Sequence, residues 1–190
     1  MPEQPTVFEF DRSKIARMYD PIRLQQETLD LIQNHPPYIH YSVIPLTMAR
    51  KPNSNTMDFS DPNWASWDET PALRNSPYIQ EVLNSLICQK TNVRLLRLVP
   101  YGEIKEHTDP QLNLQFRNQI RLHVPIFVNE LVEFKLNNTI VPLQPGELWF
   151  MRLSDLHSVN NYGNTERIQL SIDVVVNKWV EDIILQGNKA

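Results

Sequence analysis

The chain has 190 residues, of which 41% are hydrophobic and 21% charged, and its formal net charge is −4. This composition is typical of one globular domain, residues 1–190, with enough apolar side chains to build a core. Nucleic acid is not expected as a partner, because the chain has no lysine- and arginine-rich run. A membrane is not expected either, because no apolar stretch reaches the ~18 residues that a membrane helix needs.

The first part of the chain, residues 1–92, is predicted to form helices and loops that support the rest and provide a lid. Asp20 followed by proline is typical of a helix start, and apolar residues then recur at helical spacing: Ile22, Leu29 and Ile32. Ser76, also followed by proline, begins a second predicted helix with a longer apolar stripe: Ile79, Val82, Leu83, Leu86 and Ile87.

Cys88 extends this second helix and is expected to be an inert core thiol. As the only cysteine it cannot form an internal disulfide, which favours the reducing cytoplasm as the location.

Between the two helices lie a predicted strand, His40–Met48, and a long irregular segment, residues 49–71. Segments of this length without regular structure are often functional lids. Trp64 and Trp67 in this segment form either an aromatic lid over a pocket or two hydrophobic anchors that pin the loop to the body.

After residue 92 the pattern changes to short strands separated by turn signals such as Asn137-Asn138 and Pro145-Gly146. Six strands are predicted: Val93–Val99, Asn118–Val128, Val132–Asn137, Thr139–Leu143, Glu147–Leu153 and Glu166–Val176. Many short strands with turns at such spacing predict a mainly β fold, either a sandwich or a jelly-roll barrel.

Three residues form a candidate metal site: His107, Asp109 and His157. In "EIKEHTDP" the histidine and the aspartate are two residues apart at the end of a predicted strand, so both side chains can point the same way. His157 in "SDLHSVNNYG" would then come from another strand. Two imidazoles and one carboxylate that leave other positions open suit a non-haem Fe(II) that must also bind a co-substrate and O₂.

Two of the predicted strands carry polar residues on one face only. In "QIRLHVPIF", alternation places Arg121 and His123 together, opposite an apolar face. In "RIQLSIDVV" the polar face is formed by four residues: Arg167, Gln169, Ser171 and Asp173. A polar barrel interior that binds an anion would explain both strands, and the fork of Arg167 suits a carboxylate. Arg97 either reaches this interior or faces the solvent.

Four motifs together resemble the aspartyl/asparaginyl β-hydroxylases and bacterial proline hydroxylases: "HTD", "RLHVPI", "PGELWFMRLSDLHSVNNYGNTERIQLSID" and "VVNKWV". These enzymes are oxygenases that depend on Fe(II) and 2-oxoglutarate and are built on a double-stranded β-helix, a cupin-like jelly roll. The resemblance covers residues 93–180, which are therefore expected to be the catalytic core, with the N-terminal helices packed outside it.

The resemblance implies a role for each candidate residue. The iron ligands would be His107, Asp109 and His157. Arg167 would hold the distal carboxylate of 2-oxoglutarate, and His123 would also touch this co-substrate. Arg121 would meet a substrate carboxylate, with a structural ion pair as its alternative role.

The expected function is a dioxygenase that hydroxylates an amino acid or amino-acid residue, whether free, carrier-bound or peptidyl. O₂ and 2-oxoglutarate would be consumed, and succinate and CO₂ released. Vertebrate-type aspartyl β-hydroxylases lack the acidic metal ligand, whereas Asp109 stands there in this chain, as in the proline hydroxylases. Because the carboxylate of Asp109 would occupy its position on the metal, no coordination position is left for chloride. Hydroxylation is therefore expected rather than halogenation. Two alternatives remain: a non-oxidative metal-binding cupin that senses or carries a small anionic ligand, and an interaction protein that has lost its chemistry.

Overall fold

The structure is a computed structural model that describes residues 6–34, 41–49, 67–115 and 118–189. Its largest sheet is antiparallel and has six strands, in the spatial order β1 (Arg12–Met18), β10 (Glu147–Met151), β7 (Gln119–Phe127), β12 (Arg167–Val175), β5 (Lys90–Leu98) and β2 (Tyr41–Pro45). A second antiparallel sheet has four strands, in the order β6 (Glu103–His107), β11 (His157–Asn161), β8 (Val132–Leu136) and β9 (Thr139–Ile140). A small ribbon pairs β3 (Thr47–Ala49) with β4 (Trp67–Glu69).

The two larger sheets face each other across a buried cluster. Leu98, Trp149 and Met151 from the six-stranded sheet pack there with Phe134 and Val159 from the four-stranded sheet. Along the chain, strands β5 to β8 and β10 to β12 alternate between these two facing antiparallel sheets, which is typical of a jelly roll. The expected mainly β fold, a cupin-like double-stranded β-helix, is therefore confirmed.

Helices cover the outer face of the six-stranded sheet. They are α1 (Pro21–Ile32), α2 (Pro71–Arg74), α3 (Pro77–Asn84) and α4 (Lys178–Gln186), and a 3₁₀ turn spans Pro110–Leu112. Apolar residues of β5, β7 and β12 on this outer face pack with the helices in one cluster, which includes Leu24, Leu31, Ile79, Val82, Val180 and Ile184. These strands thus present apolar side chains to the helices, and their opposite face can carry polar side chains that point into the interior.

The first helix lies where the sequence predicts it, but its buried face is different. Asp20 caps the helix by accepting hydrogen bonds from the backbone of residues 22 and 23. Its buried residues are Leu24, Thr28 and Leu31, whereas Ile22 and Leu29 are 75% and 42% exposed. Gln25 donates to the carbonyl of Ile126 in β7, so this bond joins the helix to the sheet.

The second predicted helix begins at Pro77 as expected, but Ser76 does not cap it. Ser76 donates instead to the carbonyl of Ala72, and the carboxylate of Glu27 accepts hydrogen bonds from the amides of Tyr78 and Ile79. The helix ends at Asn84, earlier than predicted, so Leu86 and Ile87 of the stripe lie beyond it, and Ile87 is 65% exposed whereas the rest of the stripe is buried.

The predicted strands are found with altered ends. His40–Met48 is two strands, β2 and β3, because the chain changes sheet at Leu46, and His35 and His40 lie outside the described residues. Thr139–Leu143 shortens to Thr139–Ile140, and Asn137 and Asn138 join it to β8 with φ of 50° and 62°. The strands β6 and β11 were expected around His107 and His157, but without bounds, and the elements β1, β4, α2 and α4 were not predicted.

Cys88 does not extend α3, which ends at Asn84, but it packs half-buried against the outer core, and burial raises its pKa. None of the described helices is long and apolar enough to cross a membrane, and the longest, α1, has 12 residues.

Candidate metal centre and its pocket

The three predicted metal ligands come together at the edge of the four-stranded sheet. His107 ends β6 and His157 begins β11, and the two residues are paired in the register of these strands. Asp109 follows β6 and is held by a 2.8 Å hydrogen bond from its amide to the carbonyl of Leu153. One ligand atom from each of the three side chains lies within 4.8 Å of the other two.

Backbone carbonyls orient both histidine rings. Nδ1 of His107 lies 2.7 Å from the carbonyl oxygen of Lys105, and Nδ1 of His157 lies 2.9 Å from that of Asp155. A carbonyl oxygen can only accept, so each Nδ1 carries the hydrogen and each Nε2 presents a lone pair in the neutral ring. Burial lowers the pKa of His157, which favours the neutral ring that a metal requires.

The site therefore gathers acceptors without a donor between them. Nε2 of His107 and Oδ1 of Asp109 are 3.8 Å apart, too far for a hydrogen bond. Two imidazole lone pairs and a carboxylate that converge in this way repel one another unless a cation lies among them. The donor set of two nitrogens and one oxygen fits Fe(II).

The other oxygen of Asp109 is held by Arg121. Nη1 of Arg121 donates to Oδ2 of Asp109 over 2.8 Å, while Nε and Nη2 donate to the two oxygens of Asp173 over 2.6 and 3.1 Å. Asp173 also lies 3.8 Å from Arg94. The ion pair that was the alternative role of Arg121 is thus present, and its contact with a substrate carboxylate stays a prediction.

The metal-ligand cluster opens into a cavity of about 420 Å³ between the two sheets. All six predicted site residues line this cavity: His107, Asp109, Arg121, His123, His157 and Arg167. Its other described lining residues are Arg94, Leu96, Glu103, Ile104, Gln111, Phe134, Leu153, Val159 and Gln169. The cavity thus combines a metal-ligand cluster with polar groups on one wall and apolar groups around them.

Arg167, Gln169 and His123 form a buried network in this wall. Arg167 donates to the side-chain oxygen of Gln169, and the amide nitrogen of Gln169 lies 2.5 Å from Nδ1 of His123. All three residues are about 1% exposed. Burial, with the charges of Arg121 and Arg167, holds the pKa of His123 well below its ordinary value. A buried guanidinium beside a neutral imidazole fits the carboxylate of a ligand such as 2-oxoglutarate.

The sequence did not single out Arg94, which lines the cavity, and left Arg97 open between the interior and the solvent. Arg97 is 3% exposed, binds both oxygens of Glu166 at 2.9 Å and is not part of the described cavity lining, so it neither reaches the site nor faces solvent. Alternate residues of a strand share a face, so Arg94 lies on the same face of β5 as Leu96, which lines the cavity. Because β5 carries apolar residues on both faces, however, the sequence does not show which face points into the cavity. Trp67 lies half-buried in β4 and is not in the described lining, and Trp64 lies outside the described residues.

Residues 53–176 match the model of the family described as Aspartyl/Asparaginyl beta-hydroxylase. This segment contains all six predicted site residues.

Several solved structures share the fold. The viral collagen prolyl hydroxylase vCPH from Paramecium bursaria Chlorella virus-1, in complex with 2-oxoglutarate, is 16% identical and superposes with a TM-score of 0.53 over 88% of this chain and 98% of that chain. The non-haem α-ketoglutarate-dependent carbocyclase SnoK of nogalamycin biosynthesis is 10% identical, with a TM-score of 0.58 over 88% of this chain and 80% of that chain. AviO1 from Streptomyces viridochromogenes Tue57 is 11% identical, with a TM-score of 0.54 over 89% and 91%. At these identities the likeness shows a common fold.

Proposed function

Since the chain belongs to the aspartyl/asparaginyl β-hydroxylase family, we propose that it is a dioxygenase that uses Fe(II) and 2-oxoglutarate to hydroxylate an amino acid or an amino-acid residue. The reaction consumes O₂ and releases succinate and CO₂. The substrate is free, carrier-bound or part of a peptide.

One observation carries the proposal. The ligand atoms of His107, Asp109 and His157 converge within 4.8 Å in the same cavity that the buried Arg167 lines. A metal cluster alone would support any metal-binding protein of this fold. A metal cluster beside a buried guanidinium supports the binding of a metal-chelating dicarboxylate, which is what a 2-oxoglutarate-dependent oxygenase requires.

Each residue has a defined task in this proposal. His107, His157 and Oδ1 of Asp109 hold the metal, and the carbonyls of Lys105 and Asp155 keep both imidazoles in the ligating tautomer. Arg167 pairs with the far carboxylate of 2-oxoglutarate, and His123 donates to the same molecule. Bound Fe(II), with 2-oxoglutarate and O₂, supplies the oxidising power for C–H hydroxylation. The walls of the cavity, among them Phe134 and Leu153, exclude bulk water from the reacting carbon.

The charge of the cavity supports an amino-acid substrate. Arg94, Arg121 and Arg167 line it, and with a divalent ion bound the positive groups outnumber the carboxylates of Asp109, Glu103 and the adjacent Asp173. Such a cavity favours anions, which include both 2-oxoglutarate and a substrate carboxylate. Arg121 is the residue proposed to meet the substrate.

The test is coupled turnover. Purified protein with Fe(II), ascorbate and 2-oxoglutarate is given single amino acids and short peptides under air, and succinate and hydroxylated product are measured by mass spectrometry. Equal amounts of succinate and product for one substrate class support the proposal. If no panel member raises succinate formation above its substrate-free rate, and the product mass never appears, the non-oxidative metal-binding cupin replaces the oxygenase.

A further inference from the structure

Gln169 is a buried amide that lies between two residues of the cavity wall. It shares the inner face of β12 with Arg167, two residues earlier, and its side chain contacts His123 of the neighbouring strand β7, which is paired in register with Ser171. Its oxygen accepts a hydrogen bond from Nη2 of Arg167, and its nitrogen lies 2.5 Å from Nδ1 of His123. The amide therefore links the guanidinium to the imidazole.

The direction of both hydrogen bonds follows from the arginine. A guanidinium has only donors, so the group of Gln169 that faces Arg167 is its oxygen. The amide NH₂ then faces His123 and donates to Nδ1, which must accept. The imidazole is neutral because burial holds its pKa well below the ordinary value, so its single hydrogen lies on Nε2.

This tautomer leaves a buried donor without an acceptor in the described part of the chain. Nε2 of His123 has no hydrogen-bond partner among the described residues, although His123 is 1% exposed. A buried donor without a partner is unfavourable, and such groups are rare in folded proteins unless a ligand or water satisfies them. His123 lines the cavity, so a ligand in the cavity can supply the acceptor.

We propose that Gln169 is a positioning residue that holds His123 as its Nε2–H tautomer, so that the imidazole donates a hydrogen bond to an anionic ligand in the cavity. That the ligand is 2-oxoglutarate rests on the proposed function, whereas the tautomer does not. The opposite tautomer would turn a lone pair towards the carboxylate and repel it. Gln169 thus acts through His123 and needs no ligand contact of its own.

The tautomer is measured directly by nitrogen-15 NMR of the histidine rings in the full-length protein. Spectra are recorded without metal and with Zn(II) as a diamagnetic substitute, and His123→Gln identifies the His123 signals. The expected wild-type result is an Nδ1 shift typical of an unprotonated ring nitrogen and an Nε2 shift typical of a protonated one. A protonated Nδ1 of His123 in the wild type would overturn the proposal.

Two variants separate positioning from general support of the fold. In Gln169→Glu the carboxylate can only accept, so Nδ1 of His123 becomes protonated whatever the charge of the ring. In Gln169→Met the side chain keeps its volume but neither hydrogen bond, so the nitrogens show a mixture of tautomers. Ile168→Val is the matched control, because it lies next to Gln169 in β12 but packs in the outer core. It should leave the His123 shifts unchanged.

Ligand affinity completes the test. The dissociation constant of 2-oxoglutarate is measured with Zn(II)-loaded protein, and we expect it to rise about tenfold or more in both Gln169 variants, as for the loss of one hydrogen bond to a charged group. Unchanged affinity together with an altered tautomer would refute the role of the tautomer in ligand binding. If the wild type shows the expected tautomer but does not bind 2-oxoglutarate, the proposed function fails and the assignment of Gln169 to His123 stands. If Gln169→Glu does not fold, the Gln169→Met variant and the wild-type spectrum still test which tautomer Gln169 imposes on His123.

Discussion

Asp173 and Asp109 share one guanidinium. Arg121 donates two hydrogen bonds to Asp173 and a third to Oδ2 of Asp109, over distances of 2.6 to 3.1 Å. Arg121 and Asp173 are each 7% exposed, so the arrangement is shielded from solvent. Because Oδ2 is held, the other oxygen of Asp109 is the one presented to the two histidines. A second layer of charged groups of this kind orients ligands in metal sites.

Asp173→Asn should therefore weaken metal binding although Asp173 does not reach the metal ligands. The neutral amide holds Arg121 less firmly, and the orientation of Asp109 is relaxed. We expect affinity for Fe(II) to fall about tenfold to a hundredfold, the range found for such outer partners. Anaerobic competition with a chelator measures this affinity. Glu166→Gln is the control, because it disrupts the pair with buried Arg97 outside the cavity. A loss that is equal in the two variants would contradict the specific role of Asp173.

His157→Ala and His107→Ala should each abolish succinate formation while the fold survives. Both residues lie at strand ends at the edge of the four-stranded sheet, and removing either leaves two of the three proposed metal ligands. Succinate assays show the loss, and circular dichroism with urea unfolding shows whether the fold is retained. Normal turnover in either variant would refute the metal assignment.

Arg167→Ala should mainly raise the concentration of 2-oxoglutarate that the enzyme needs. The buried guanidinium is proposed to pair with the far carboxylate, and removal of one partner from a buried charge pair costs about 2–5 kcal/mol, which corresponds to a KM increase of roughly thirtyfold or more. The KM is obtained from the dependence of succinate formation on 2-oxoglutarate. Arg97→Ala removes another buried arginine and should lower stability without this change in KM. An unchanged KM in Arg167→Ala would exclude the assigned role.

The metal-free protein should lose stability as the pH falls below about 6.5, in part because of His123. The pKa of His123 in the folded protein is held well below its ordinary value of 6.5, mainly by burial. Between these two values the unfolded chain binds the proton and the folded chain does not, so acid favours unfolding, by up to about 1.4 kcal/mol per pH unit. His123→Gln should flatten this dependence, since glutamine does not titrate.

Urea unfolding of both proteins at about pH 7.5 and about pH 5 measures the difference in slope. His157 contributes to both proteins alike, so the comparison isolates His123. Equal slopes for the two proteins would show that His123 is accessible to protons in the folded state.

The site was more predictable from the sequence than the rest of the chain. Asp109 stands two residues after His107, and alternation along β7 places Arg121 and His123 on the inner face because the opposite face is continuously apolar. Alternation along β5 could not show whether Arg94 or Arg97 points into the cavity, since both faces of this strand are buried. The partners of Arg121 were also beyond sequence reasoning, because the contact with Asp109 depends on how the chain turns after β6.

The elements that were missed, and β11, which was expected only as a strand without bounds, lack the apolar pattern that prediction relies on. The inward residues of β11 are His157, Val159 and Asn161, so a strand that lines a polar site shows little apolar alternation. The edge strand β1 pairs with β10 and carries charged residues at several positions. In α1 the apolar residues lie on more than one face, so the sequence does not show which face is buried. The buried face is the one beside which Gln25 donates to the carbonyl of Ile126, a tertiary contact.

The most direct test of the central claim, that this cavity binds Fe(II) and 2-oxoglutarate together, is an anaerobic titration followed by visible absorption. Fe(II) is added to the protein with 2-oxoglutarate, and the charge-transfer band of the chelated metal is recorded. We predict that the band appears for the wild type, saturates at one metal per chain and is absent in His157→Ala. Fe(II) binding without the band, or a band that persists in His157→Ala, would contradict the account.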